Sequence, residues 1–160
     1  MKKLIKIIFF LFVPSGLFGQ LPPFTSHYVL NPLSINPAYA GNRGVFNVAA
    51  FYRNQWVGIK GAPETMSIAA DAPLSRDKIG LGLIIVNDRI GVTRETQFNT
   101  DYSYKVSLGT GVLSFGLGAG LILTNTAWSD LIVLDPGDEF YLIDSKVFIV
   151  PNFSFGTYYS

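Results

Sequence analysis

The only histidine, His27, lies in a proline-rich stretch with no acid near it. A histidine-based triad needs a partnered base, and a multi-histidine metal site needs more than one such ligand. No cysteine is present, so thiol chemistry and a disulfide framework are both excluded. Asp135-Pro136-Gly137-Asp138-Glu139 gathers carboxylates that suit a hard cation, yet it lacks the ordered ligand spacing of a calcium loop and reads as a solvated tip. Gly116-Leu117-Gly118-Ala119-Gly120 contains G-x-G, but inside a strand pattern and without the spacing of a dinucleotide fingerprint. That leaves Arg53, Glu95, Asp101 and Lys105, all on the polar side of alternating segments. Such charges would line a channel or pair across strands inside a filled barrel, and pairing is the plainer expectation. Neither a cofactor nor catalysis is expected.

These charges are positioned by ribbons. From Arg94 to Val106 the chain changes character at every second residue. Phe98, Tyr102, Tyr104 and Val106 fall on one side; Glu95, Gln97, Asn99, Asp101, Ser103 and Lys105 fall on the other. Strand side chains alternate faces, so this is a ribbon with one aromatic and one polar face. The same pattern predicts strands over 45–57, 65–72, 78–86, 113–123 and 152–159. Asn87 to Gly91 and Leu108 to Gly111 read as turns. In the fifth strand Ser114, Gly116, Gly118 and Gly120 share a face, which suggests close backbone approach, a bend or an uncrowded interior.

Before the strands, Met-Lys-Lys-Leu-Ile-Lys leads into the apolar run 7–13, Pro14 and Leu17-Phe18-Gly19. A basic start, a short apolar core and a small residue at the end make residues 1–19 a secretory signal peptide, with cleavage after Gly19. Residues 20–44, rich in Pro and Asn, form an irregular arm. Without Lys2, Lys3 and Lys6 the basic count falls from 12 to 9 against 11 acids, which removes the electrostatic case for nucleic acid. An exported, apolar, cysteine-free chain without a long apolar helix has the profile of an outer-membrane barrel.

The expected architecture is therefore all-β: an antiparallel transmembrane β-barrel of the outer-membrane type. The predicted connections near 58–63, 87–93 and 125–150 are longer than those near 75–77 and 108–111, in keeping with external loops and periplasmic turns. Residues 45–160 supply about six strands, and the smallest such barrels need about eight. The expectation is an N-terminal portion of a longer barrel, because an open edge in hydrocarbon leaves backbone groups unpaired.

Particular motifs narrow this further. Asn31-Pro32-Leu33, Asn36-Pro37-Ala38-Tyr39-Ala40-Gly41 and Tyr52-Arg53-Asn54-Gln55-Trp56-Val57-Gly58 come in order. Gly61-Ala62-Pro63, Gly80-Leu81-Gly82, Asn87-Asp88-Arg89-Ile90-Gly91, Ser114-Phe115-Gly116-Leu117 and Pro151-Asn152-Phe153-Ser154-Phe155-Gly156 follow. In this combination the chain resembles the PorP/SprF family of outer-membrane proteins of type IX secretion and gliding in the Bacteroidota. The resemblance implies a single-chain barrel that anchors or delivers a secreted adhesin at the cell surface. It also implies partners: outer-membrane lipid, the secretion components, and cargo with a C-terminal sorting domain. A diffusive porin is the alternative. Asn36, Pro37, Ala38, Tyr39, Ala40 and Gly41 are the best binding candidates in the arm; their competing role is a turn that seals the periplasmic end. Arg53, Asn54, Gln55, Trp56, Asn87, Asp88 and Gly91 complete the candidate set. Trp56 and the Tyr158-Tyr159 pair are expected in interfacial aromatic girdles.

Overall fold

The computed structural model describes residues 31–74, 78–128 and 147–160; the signal segment, His27 and the acidic tip at 135–139 lie outside them. Strands β1 (Asn47–Asn54), β2 (Glu64–Leu74), β3 (Ile79–Ile90), β4 (Thr93–Leu108), β5 (Gly111–Thr126) and β6 (Phe148–Tyr159) form one sheet. They follow in sequence order, each antiparallel to the next, and β1 and β6 are its edges among the described residues. No described helix is long and apolar enough to cross a membrane.

Register converts the alternation of each strand into two faces of the whole sheet. Ala72, Leu81, Tyr102, Leu117 and Phe155 make one continuous cross-strand row. The next row, Asp71, Gly82, Asp101, Gly118 and Ser154, points the other way. Because the side-chain period is two, a one-residue slip in any pair would exchange the faces of that strand. The apolar face is bare: Phe98, Tyr102, Leu117 and Phe155 are all exposed, and Phe153 is 78% exposed. The polar face carries residues 31–44, and the small buried core of Leu33, Ala40, Ala69 and Ile84 lies between that arm and the sheet. An inverted core of this kind, with grease outside and polar groups inside, is the arrangement the alternation predicts.

Most strand boundaries differ from expectation by a few residues, and three of the differences change where candidate residues or connections lie. β3 does not end at Val86 but runs through Asn87, Asp88 and Arg89. Their turn-forming tendency is overridden because the ladder offers partners: Asn87 Nδ2 donates to Thr96 Oγ1 at 2.8 Å and Thr65 Oγ1 donates to Asp88 Oδ1 at 2.8 Å. Only Gly91 and Val92 remain for the turn, with Gly91 at φ 60°, so the predicted long connection at 87–93 is a two-residue one. Long and short connections therefore do not alternate strictly. β1 stops at Asn54, which puts Gln55 and Trp56 in the turn rather than the strand, and Trp56 itself has φ 51°. β6 begins at Phe148 rather than Asn152, since Phe148-Ile149-Val150 favours an extended ladder against Thr124, Leu123 and Ile122.

Candidate functional site: the docked arm and the opposite turns

The arm is two single 3-10 turns, Pro32–Ser34 and Pro37–Tyr39, each opened by a proline whose missing N–H is not needed there. Asn36 joins the second turn to the sheet with both ends of its amide. Its Oδ1 accepts from the Ala38 N–H at 2.9 Å, and its Nδ2 donates to the Thr157 carbonyl of β6 at 2.9 Å. Ala38 and Ala40 are fully buried. The Tyr39 ring meets Tyr158 edge-on, centroids 5.3 Å apart, so Tyr158 belongs to this face and only Tyr159 of the pair remains for a girdle.

Glycines make the seat. A Cβ at Gly80 would lie 1.9 Å from the Ala40 carbonyl oxygen, and one at Gly116 would lie 2.0 Å from the Ala38 nitrogen. These glycines permit close backbone approach, which for Gly116 is one of the readings its shared face allowed. Three side chains then hold the end of the arm. Ser103 Oγ donates to the Ala40 carbonyl at 2.7 Å, Asp71 Oδ2 accepts from the Gly41 N–H at 2.9 Å, and Lys105 Nζ donates to the Gly41 carbonyl. Gly41 has φ 64°, and a Cβ there would lie 2.9 Å from backbone atoms of β2 and β3. Asp71 Oδ1 also accepts from Asn47 Nδ2 at 3.0 Å. The arm is thus gripped by β2, β3, β4, β5 and β6 at the end of the sheet where β2 ends, β3 begins and the β4–β5 turn lies.

The remaining candidates gather at the other end. Asn54 is the last residue of β1, opposite Glu64, and the Gln55 N–H closes that hairpin on the Pro63 carbonyl at 3.0 Å. The Gly91 N–H donates to the Gly61 carbonyl at 2.9 Å, which ties the β3–β4 turn to the β1–β2 connection. Arg53, Thr65, Asp88 and Glu95 form one row on the polar face. So the structure brings Arg53 to Trp56 together with Asn87 to Gly91, and keeps both apart from Asn36 to Gly41.

Two of the charges expected to pair across strands, Glu95 and Asp101, behave otherwise among the described residues. Glu95 accepts from Gln97 two residues along its own strand, at 2.6 Å. Asp101 is 3% exposed, and neither carboxylate oxygen has a hydrogen-bond partner among the described residues. The reason is composition: Asp101 is flanked in register by Gly82 and Gly118, which have no side chain to offer.

A family model described as Type IX secretion system membrane protein PorP/SprF matches residues 17–160. The chain belongs to the PorP/SprF family. No curated protein and no solved structure matches it. In this PorP/SprF chain the sequence reading passed over Asp71 and Ser103, which with Lys105 hold the arm. Their only sequence signal is position: each sits on the polar side of a strand whose other side is apolar.

Proposed function

We propose that this PorP/SprF protein is a non-enzymatic outer-membrane component of type IX secretion that anchors or delivers a secreted adhesin at the cell surface. Residues 1–19 act as the export signal, and 45–160 contribute strands to a barrel whose bare apolar face meets lipid. The observation that carries this reading is the sheet-wide partition of faces. A row such as Leu81, Tyr102, Leu117 and Phe155, exposed along its length, is costly in water and suited to hydrocarbon. The polar face then becomes the lumen. Asn54 to Trp56 and Asn87 to Gly91 mark the external end, the place where a surface partner has access. A diffusive pore is the weaker reading, because the arm lies across five strands of the face that would line a channel.

The test is recovery of a tagged full-length protein from solubilised outer membranes. Co-recovery of a secreted protein with a C-terminal sorting domain supports the proposal. Recovery of the barrel alone, combined with stable conductance in a planar bilayer, would replace it with the pore.

A further inference from the structure

The floor under the arm carries more hydrogen-bonding capacity than the arm uses. Ser103 Oγ is satisfied by the Ala40 carbonyl. By contrast, both oxygens of Asp101, the Ser114 hydroxyl and the Ser154 hydroxyl are buried without a partner among the described residues. Ser103 and Ser114 are fully buried, and Asp101 nearly so. Leu33 closes over the same region, its methyl carbons 3.0 and 3.1 Å from where a Cβ of Gly82 would stand, and Gly82 pairs directly with Asp101. A buried polar group without a partner loses its water and gains nothing in exchange. A purely structural strap gains by having an apolar floor, because an orphaned polar group is worse than an apolar one of the same shape.

The grip on the arm is also concentrated. Its polar anchors on the sheet are Asn36 at one end and, at the other, the Ala40–Gly41 pair, where Asp71, Ser103 and Lys105 converge, with Arg43 donating to Asn47 Oδ1 beyond it. Leu33 and Ala38, between and before these anchors, contribute packing over glycine notches. Lifting the arm would cost these contacts but uncover the row beside Gly82, where Leu33 overlies Asp101.

We propose that residues 31–44 are a releasable plug: the arm leaves its glycine seat in a populated open state, and the unsatisfied floor is what keeps docking from being permanent. The open state exposes a polar, glycine-lined surface on the face that the proposed function assigns to the lumen. The inference goes beyond that function, since it concerns only how tightly the arm is held.

The absence of cysteine permits a direct test. Leu33→Cys in the full-length protein, in native membranes, is treated with a water-soluble maleimide, and the labelling rate is measured. Ile35→Cys, on an exposed arm residue, calibrates reagent access. The background protein should label slowly but completely. Adding Ser114→Ala, Ser154→Ala or Asp101→Ala should slow labelling, by about fivefold or more for the largest of the three, as expected when an unsatisfied buried group is removed. Adding Gly80→Ala should speed it, because the new Cβ meets the Ala40 carbonyl. The sheet in each variant is checked by its β circular dichroism. Unchanged or faster labelling in all three floor variants, with the sheet intact, would overturn the proposal. So would a Leu33→Cys protein that never labels while Ile35→Cys reacts at once.

Discussion

The two ends of the polar face are built on different terms. At one end the floor is glycine, serine and aspartate, and the chain's own residues 31–44 fill it to backbone contact. At the other end the row of Arg53, Thr65, Asp88 and Glu95 places polar and charged side chains on the same face. Small side chains let one backbone lie upon another, so the first end is shaped to seat an intramolecular partner. Larger polar and charged side chains pack poorly against a fixed strap but offer hydrogen-bonding groups to a partner supplied from outside. The contrast assigns stability to the first end and recognition to the second.

Substitutions at the two ends should therefore fail in different ways. The largest effect is expected for Gly80→Val, which places branched carbon where the Ala40 carbonyl stands. Overpacking of this severity costs about 1–3 kcal/mol or more, and it should appear as full protease sensitivity of the arm with the sheet retained. Asp71→Ala removes the acceptor for both the Gly41 N–H and the Asn47 amide. A loss of about 1–3 kcal/mol is expected in the denaturant midpoint, since a buried donor is left unpaired. Ser103→Ala deletes one hydrogen bond to the Ala40 carbonyl and should cost about 1 kcal/mol in the same measurement.

Smallest in stability, and most informative about recognition, is the pair Arg53→Gln and Glu95→Gln. Each should change the unfolding midpoint by less than about 0.5 kcal/mol, as exposed or half-buried charges usually do. Both should reduce recovery of the secreted partner in the pull-down. Equal partner recovery with a large loss of stability would reverse the assignment of the two ends.

How much of this was legible in the residues follows the physics of each signal. Alternation is local, so each of the six strands and its two faces could be read from its own residues, as β4 was from Phe98, Asp101, Tyr102 and their neighbours. The strand ends could not, because Asn87 and Asp88 favour turns until β2 and β4 supply Thr65 and Thr96 as partners. The glycine face allowed close approach, a bend or an uncrowded interior, and did not say what approaches. Residues 36 and 157, or 41 and 71, meet only through the fold, and nothing in their spacing declares it. The expected pairing of charges across strands failed for Asp101 because its neighbours in register are glycines.

The account rests on which way the two faces look. Single cysteines at Phe98, Tyr102, Asn99 and Asp101, in the full-length protein in native membranes, can be exposed to a thiol reagent confined to the lipid phase. The account predicts reaction at Phe98→Cys and Tyr102→Cys and protection at Asn99→Cys and Asp101→Cys. Reaction at the latter pair with protection of the former would contradict it.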